Sequence, residues 1–501
     1  MKTKVKNISS TNIMANDKSS KNDQIKNPIK AESNISMDYE EKKLNNLKSH
    51  SLKSRKYQIV KETFLEWSSR TDMNNYGKIF DYRGNLFGQI IWILVFLILT
   101  GLTAILIQMS IAAYLSYSVT TSYDIIYESP TDFPTITMCF GSPFSTSKGN
   151  NLLSKILQDI TRTGMIGMPY YGDDVNNLAK MYVSNPSYGD ENRQQLGLSI
   201  NDVSTCKFNN KDCLTDLHWI WSFYYGNCFQ FNSGLNLTNQ KIDLVQSTRT
   251  DPEYGLNIEF SFDYCNPNNG SGNNQPPTLD FIVFVHNSSN RVSSSTTFVQ
   301  VPLNFKLTLA IERTFFSKIA APYSDCKDLS SYSSSLYDFI IQTNFSYRQS
   351  DCLDLCIQQN IMSECGCYYL KYPSLNTEID PCLNLSQFNC ANNQIDIFES
   401  VSCISNSCPL ECDSISYESE SSLGNFQGYP FFLDPTYSTH TFLNVFYPRL
   451  EYTQITEQPE TTFINLLTQL GGSIGMFISF SVFTFFETLE LFILIVYAWI
   501  F

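Results

Sequence analysis

The sequence predicts an α+β membrane protein in which two transmembrane helices flank a large, cysteine-rich extracellular domain. Two stretches without Asp, Glu, Lys or Arg predict the helices, one from Gly84 to Tyr123 and one from Thr461 to Phe486. All 15 cysteines lie between Cys139 and Cys412, in the segment that these stretches enclose. Cysteines confined in this way indicate one oxidising compartment on one side of a membrane.

The average composition hides a strong charge asymmetry. Residues 1–83 carry 17 Lys and Arg beside 10 Asp and Glu, a net charge of +7, whereas residues 84–501 carry 17 basic and 38 acidic side chains, a net charge of −21. This distribution excludes a cytosolic enzyme, and it excludes a nucleic-acid partner for the folded part. Residues 1–56 are rich in Asn, Lys and Ser, so this part of the N-terminal region, 1–85, is predicted to be disordered.

The first transmembrane helix is predicted over residues 86–117, because about 20 apolar helical residues cross the hydrocarbon core of a bilayer. Three basic residues precede it and none follows closely, so the positive-inside rule predicts a cytoplasmic N-terminus. No cleavable signal sequence is expected, and the helix would be an uncleaved anchor. Residues 118–462 are then extracellular and contain five candidate glycosylation sites, Asn236, Asn269, Asn287, Asn344 and Asn384.

The second apolar segment, residues 463–501, is too long for one straight span. As a single helix it would extend about 58 Å, nearly twice the hydrocarbon thickness. It must protrude, tilt or break, and the step from Ser479 to Ser481 is the predicted break, where irregular backbone can line water. Gly471 and Gly472 suit close helix packing. Both termini are expected in the cytoplasm, with almost no tail after Phe501.

Two carboxylates in this segment are the most informative chemical feature. Glu487 and Glu490 are three residues apart and so share a helix face. Since a charge at the bilayer centre is costly, we expect them to line a shared aqueous pathway and attract cations. The alternative is that they lie at the inner headgroup boundary and are simply solvated. The acidic extracellular segment would concentrate cations at the entrance, or its charge serves solubility alone.

The cysteines predict cross-linking rather than metal binding. Nine of them lie in the range from Cys352 to Cys412, and none of the four histidines lies there. A zinc site is therefore the weaker interpretation, and a disulfide-linked helical rod is preferred. An odd total leaves one cysteine unpaired or intermolecular.

Strands are predicted over residues 280–286 and 297–301, and a helix over residues 353–362.

Four motifs, in order, resemble the degenerin/epithelial sodium channel family, which includes acid-sensing and peptide-gated channels. The resemblance covers about residues 63–490. Its motifs are Phe133-Pro-Thr-Ile-Thr-Met-Cys139, Tyr225-Gly-Asn-Cys228, Pro322-Tyr-Ser-Asp-Cys326, and Leu466 to Phe477 followed by Ser479-Phe480-Ser481 and Glu487.

The resemblance implies seven disulfides, of which the last five would staple a thumb domain. Cys265 is left free. The implied pairs are Cys139 with Cys228, Cys206 with Cys213, Cys326 with Cys412, Cys352 with Cys408, Cys356 with Cys403, Cys365 with Cys390, and Cys367 with Cys382.

The resemblance also implies a homo- or heterotrimer with a hand-like extracellular domain over a pore lined by the second helix. Ser479, Phe480 and Ser481 would form the selectivity filter, and Glu487, with Glu490 on the same face, an acidic ring. Residues expected to act in gating are Tyr76, Gly77, Asn465, Gly471, Gly472, Tyr114, Tyr117 and Tyr323.

Three positions in this set bear on how the channel would behave. Tyr76-Gly77 stands where the family has His-Gly, and a bulky Phe480 occupies the variable filter position. Asn465 matches the position at which large side chains tend to hold family members open. Tyr114 or Tyr117 would lie near Tyr323.

The sequence thus predicts a plasma-membrane subunit of an amiloride-sensitive-type, sodium-preferring cation channel. An extracellular stimulus, proton or peptide rather than force, would open it, and the ligand itself is not identified. No cofactor or metal is expected beyond the permeant sodium ion, and no catalytic signature indicates an enzyme. Two alternatives stay open: an ATP-gated-type channel, and an adhesion or scavenger-type receptor without a pore.

Overall fold

The computed structural model describes residues 57–68, 86–162, 173–262, 280–292, 296–343, 345–376, 378–425 and 439–500. The chain divides into two units, one of residues 1–112 with 463–501 and one of residues 113–462. Several predictions fall outside the described residues: the disordered tail 1–56, the pair Tyr76 and Gly77, Cys265, and the sequons at Asn269 and Asn344.

The described helices lie before β1, after β17 and in two insertions of the unit of residues 113–462. In chain order they are α1 (57–68), α2 (Leu86–Leu115), α3 (Ser147–Arg162), α4 (Asp173–Ser184), α5 (Asp190–Gln194), α6 (Ser335–Gln342), α7 (Gln349–Cys365), α8 (Leu385–Asp396), α9 (Val401–Asn406), α10 (Phe463–Ile478) and α11 (Val482–Ile500).

The strands of the described residues all belong to the unit of residues 113–462. They are β1 (Val119–Tyr127), β2 (Thr131–Asp132), β3 (Thr135–Phe140), β4 (Val203–Phe208), β5 (Lys211–Asp212), β6 (Leu217–Ser222), β7 (Gly226–Phe231), β8 (Gln246–Ser247), β9 (Leu256–Phe262), β10 (Asp280–His286), β11 (Phe298–Pro302), β12 (Phe305–Ser317), β13 (Cys326–Lys327), β14 (Leu410–Glu411), β15 (Asp413–Asn425), β16 (Thr439–Phe446) and β17 (Glu451–Pro459).

The two apolar segments differ in that the first forms one continuous helix and the second a bent pair of helices. Of the described helices, α2 alone is long and apolar enough to cross a bilayer by itself. It ends at Leu115, slightly before the predicted end at residue 117. Helices α10 and α11 are long and apolar enough only when taken together. Because they are bent by 68° at residues 479–481, the pair is either a broken span or a re-entrant loop.

Two sheets enclose the core of the unit of residues 113–462. The large sheet has the order β1-β17-β12-β16-β9-β4-β5, with β15 paired to β12, and the small sheet has the order β11-β10-β3-β7-β6. The strand expected at residues 280–286 is confirmed as β10, and the one expected at 297–301 is β11, shifted by one residue. Large side chains of both sheets fill the space between them, among them Phe140, Phe231, Phe260, Phe281 and Tyr447.

Gly226, in the second sequence motif, shows why one of these motifs needs a glycine. It begins β7 after a tight turn, with a φ of +73°. A Cβ atom there would lie 2.7 Å from the Cα atom of Pro143. Both the left-handed backbone and the close approach exclude a larger residue at this point.

The cysteine-rich segment, residues 326–412, is an insertion between β12 and β15. Its helix α7 runs further in both directions than the predicted residues 353–362. The structure forms seven disulfides with the same pairing that the family resemblance implies: Cys139–Cys228, Cys206–Cys213, Cys326–Cys412, Cys352–Cys408, Cys356–Cys403, Cys365–Cys390 and Cys367–Cys382. The first of these joins β3 to β7, and the last five lie in this segment, where loop closure by disulfides replaces part of a hydrophobic core.

Arg313, on β12, is the central buried charge of the large sheet. Its guanidinium pairs with Glu128, and it donates a hydrogen bond to Thr131 Oγ1 at 3.0 Å. The same group lies 5.0 Å from the Phe315 ring centre and 5.2 Å from that of Tyr452. One side chain thus links β12, β17 and the connection from β1 to β2.

We predict that Arg313→Met lowers the free energy of unfolding by about 3 kcal/mol, because it leaves Glu128 without its charged partner and removes the ring contacts. Arg449→Met is the matched control, since Arg449 forms ion pairs with Glu312 and Glu451 but is 65% exposed. Its cost should stay below about 1 kcal/mol. Denaturant titration of the detergent-solubilised chain, followed by tryptophan fluorescence, measures both. Equal losses in the two variants would refute this role of Arg313.

Candidate functional site

The candidate pore segment is the break between α10 and α11. Ser479 has a φ of +60° and donates its N–H to the Gly475 carbonyl at 3.1 Å. A left-handed serine is uncommon and turns the chain sharply. The break therefore lies at the step where the sequence predicts it, and it directs the carbonyl-bearing end of α10 toward Phe480 and Ser481.

Ser481 and Thr484 form a reciprocal cap at the start of α11. The Ser481 hydroxyl accepts the N–H of Thr484 at 3.2 Å, and the Thr484 hydroxyl accepts the N–H of Ser481 at 3.1 Å. Thr484 is fully buried. Because the Ser481 side chain is held by this cap, backbone carbonyl oxygens are the better candidates for contact with an ion at this level.

The acidic residues and the glycines lie on either side of the break. Glu487 is half-buried and Glu490 exposed on α11, where their spacing of three keeps them on neighbouring positions of one face. On α10, a Cβ atom added at Gly471 or Gly472 would meet no heavy atom of the described residues within 4 Å. This face of α10 therefore has room for close approach of another helix. Asn465 lies exposed in the first turn of the same helix.

Trp67 lies in the unit of residues 1–112 with 463–501, and the sequence analysis did not predict a role for it. Its indole N–H donates a hydrogen bond to the Glu487 carbonyl at 3.1 Å, so α1 lies against α11 at the level of the acidic residues. The Phe64 ring lies 6.0 Å from the Trp67 ring. An aromatic pair at this spacing ahead of an apolar helix was the available signal, but it does not reveal a partner near the other end of the chain.

The expected tyrosine contact occurs in the unit of residues 113–462. The Tyr117 ring lies edge-on to the Tyr323 ring at 5.5 Å, and the Tyr114 ring lies 6.4 Å from that of Tyr117. Tyr117 has a φ of +50°, which ends the helix and turns the ring toward the Tyr323 loop. The edge-on geometry is a favourable aromatic arrangement.

A series of hydrogen-bonded polar side chains in the small sheet was also not predicted from the sequence. His286 Nδ1 lies 2.9 Å from the Asn287 carbonyl, which can only accept, so Nδ1 carries the proton and Nε2 accepts from the Thr137 hydroxyl at 2.8 Å. Gln230 donates to the same hydroxyl at 3.0 Å. Burial lowers the pKa of His286 to about 4, so the ring is neutral at physiological pH.

Asp354, on α7, is the second titratable group in this region. Burial raises the pKa of the Asp354 carboxyl to about 6; the charge of Asp351 acts in the same direction, and Arg291 and Lys371 oppose it. These four residues come from three separate parts of the chain. No local pattern in the sequence predicts their meeting.

Comparison with known proteins identifies the family. Residues 67–491 match the amiloride-sensitive sodium channel family. The bile acid-sensitive ion channel of Homo sapiens is 24% identical over 439 residues, which cover 80% of each protein. Degenerin unc-8 of Caenorhabditis elegans is 24% identical over 60% of this chain and 40% of its own length. The FMRFamide-activated amiloride-sensitive sodium channel of Cornu aspersum is 24% identical over 63% of this chain and 49% of its own length. The chain thus spans less than half of the last two relatives.

The broken apolar pair and the cross-linked unit of residues 113–462 thus belong to an ion channel subunit and not to an enzyme. The chain belongs to the amiloride-sensitive sodium channel family. Members of this family are plasma-membrane proteins that form multimeric channels with related subunits, and the resemblance read from the sequence motifs is confirmed.

We predict that Asp354→Asn stabilises the protein near pH 7.5 and that this gain shrinks near pH 4.5. The folded pKa of about 6 lies above the ordinary value of 3.8, so the charged carboxylate costs stability above pH 6 and the cost disappears as the pH falls through that range. Melting temperatures of the solubilised protein at the two pH values measure the effect. Glu364→Gln, which removes an exposed carboxylate of the same helix, is the matched control. A gain from Asp354→Asn that is as large near pH 4.5 as near pH 7.5 would contradict the prediction.

Proposed function

We propose that the protein is a subunit of an amiloride-sensitive, sodium-preferring cation channel that an extracellular stimulus opens. The observation that carries this proposal is the broken apolar pair α10–α11, which lies within the family match as far as residue 491 and carries Ser479-Phe480-Ser481 at the break. An irregular step between two apolar helices exposes backbone oxygens at membrane depth, which is tolerated where the backbone lines a water-filled path.

In the proposed channel three chains, identical or related, surround one pore. Helix α2 and the α10–α11 pair are the two spans, both termini are cytoplasmic, and residues 118–462 are extracellular. Multimer formation by family members supports this arrangement, as does the open face at Gly471 and Gly472. Disulfides and glycans at the five sequons suit the extracellular side.

Ser479, Phe480 and Ser481 would form the filter, and Glu487 and Glu490 would form acidic rings on the inner side of it. Three copies of each carboxylate would raise the local cation concentration in a water-filled pore whose walls have a low dielectric constant. A Phe480 ring that packs between helices would leave the filter lined by backbone and serine, which suits a small cation.

A chemical signal, proton or peptide rather than force, is the proposed stimulus. Two relatives bear names that state a chemical sensitivity, to bile acid and to FMRFamide. The Tyr117–Tyr323 contact is the proposed point at which the extracellular unit acts on the chain that follows α2, with Asn465, Tyr76 and Gly77 as further gating positions.

The first test is recording from cells that express the chain while the pH is stepped, neuropeptides are added and sodium is exchanged for potassium. We expect an inward current that amiloride blocks and that is larger in sodium. A bulky modification at Asn465 should hold the channel open without a stimulus. Silence under all of these conditions, with the chain at the cell surface, would overturn the homomeric channel.

We predict that Glu487→Gln lowers single-channel sodium conductance on the order of tenfold at low ionic strength, because a ring of focused charge raises the local cation concentration by at least that factor. The loss should be smaller at physiological salt, where the charge is screened. Glu399→Gln, an exposed carboxylate of the cysteine-rich segment, is the matched control. Unchanged conductance in Glu487→Gln would remove this residue from the pore.

A further inference from the structure

A cavity of about 530 Å³ lies between the small sheet and the cysteine-rich segment. Its size falls within the range of small-molecule sites in proteins. Aromatic rings form much of its wall, contributed by β6, by the turn between β6 and β7, by β10 and by the chain after α7. They are Trp221, Tyr224, Tyr225, Phe284 and Tyr372.

The charged groups of this cavity differ in sign from their surroundings. Arg291, Lys371 and Asp354 line it, so two cations face one carboxylate, whereas residues 118–463 as a whole hold 36 acidic and 17 basic side chains. The Arg291 guanidinium is largely removed from water, with Asp351 and Asp354 near it. A charged group kept away from water in a cavity wall is available to a bound ion at little further desolvation cost.

Lys371 decides the sign of the charge that the cavity accepts. Its Nζ lies 5.1 Å from the ring centres of both Tyr224 and Tyr372, a cation–π geometry. The two ring faces that would attract an organic cation are therefore already taken by a cation of the protein. An anion, in contrast, would meet Lys371, the tyrosine hydroxyls and Arg291.

We propose that this cavity binds a small organic anion, a carboxylate attached to a flat apolar body. The carboxylate pairs with Lys371 and Arg291, and the apolar body packs against the rings of Trp221 and Tyr225. The inference deepens the proposed function, on which it rests, because it gives the chemical class of an extracellular ligand. Such a ligand would join the small sheet to α7 and the chain that follows it.

Asp354 makes this site sensitive to pH. Its carboxyl faces Arg291, which lies in the connection after β10, and Lys371, which lies in the loop after α7. Asp351 is its neighbour on α7. At a pH near 6 it takes up a proton, and the cavity wall then carries two cations and no charged carboxylate, because Asp351, which lies near Arg291, does not line the cavity. Affinity for a carboxylate ligand should therefore rise as the pH falls from about 7.5 to about 5.5.

Three probes with one ring system and different charges test the class of ligand on the full-length, solubilised protein. They are naphthalene-2-carboxylate, naphthalene-2-methanol and 2-naphthylmethylammonium, with binding measured by equilibrium dialysis. We expect the carboxylate to bind most tightly, and more tightly at the lower pH. Equal or tighter binding of the alcohol or the ammonium compound would overturn the proposal without any mutation.

Substitution locates the site. Lys371→Met should weaken carboxylate binding about tenfold or more, as expected for a lost charge-assisted hydrogen bond, and Lys371→Arg should retain it. Lys211→Met, an exposed lysine of β5, is the matched control and should bind as the unmodified protein does. Wild-type affinity in Lys371→Met would overturn the proposal. Dialysis reads binding without current, so failure of the channel proposal and failure of this site are separate results.

Discussion

The ladder between β1 and β17 is the constraint on which the unit of residues 113–462 depends. An unbroken register joins the two strands, from Val119 with Pro459 to Tyr127 with Glu451, and the Glu460 N–H donates to the Ser118 carbonyl at 3.0 Å beyond its end. The chain that follows α2 and the chain that precedes α10 are thereby held side by side. Any change in this ladder must reach both apolar segments through the backbone itself.

Strand β12 connects this ladder to the rest of the unit of residues 113–462. One edge of β12 pairs with β16 and then with β17, and the other pairs with β15 along the whole strand, from Phe305 to Ser317. Arg313 lies where the pairing passes from β16 to β17, and it holds Glu128 just after β1. Because the cysteine-rich segment is inserted between β12 and β15, and Cys326–Cys412 closes its base, a displacement of this segment is carried into β12.

The sequence predicts those features whose cause is local or is repeated in a motif. Charge-free runs predict α2 and the α10–α11 pair, and a run of β-branched and aromatic residues predicts β10 at residues 280–286. The long-range pairings are different. Nothing near Arg313 in the sequence indicates Glu128, which is distant along the chain, and nothing near Trp67 indicates Glu487. Disulfide partners became predictable only through motif resemblance, since spacing alone leaves many pairings open.

The cavity beside Lys371 is mechanically connected, through the strand that carries Arg313, to the ladder between β1 and β17. A ligand that bridges the small sheet and the cysteine-rich segment fixes the separation of two bodies that otherwise meet across a cavity of about 530 Å³. The cysteine-rich segment is held rigid by five disulfides, so it moves as a unit instead of absorbing the change internally. Its C-terminal end continues directly into β15, and residues 318–325 connect its N-terminal end to β12. Binding energy released in the cavity is therefore directed at the strand that carries Arg313 and, through it, at the two strands that adjoin the apolar helices.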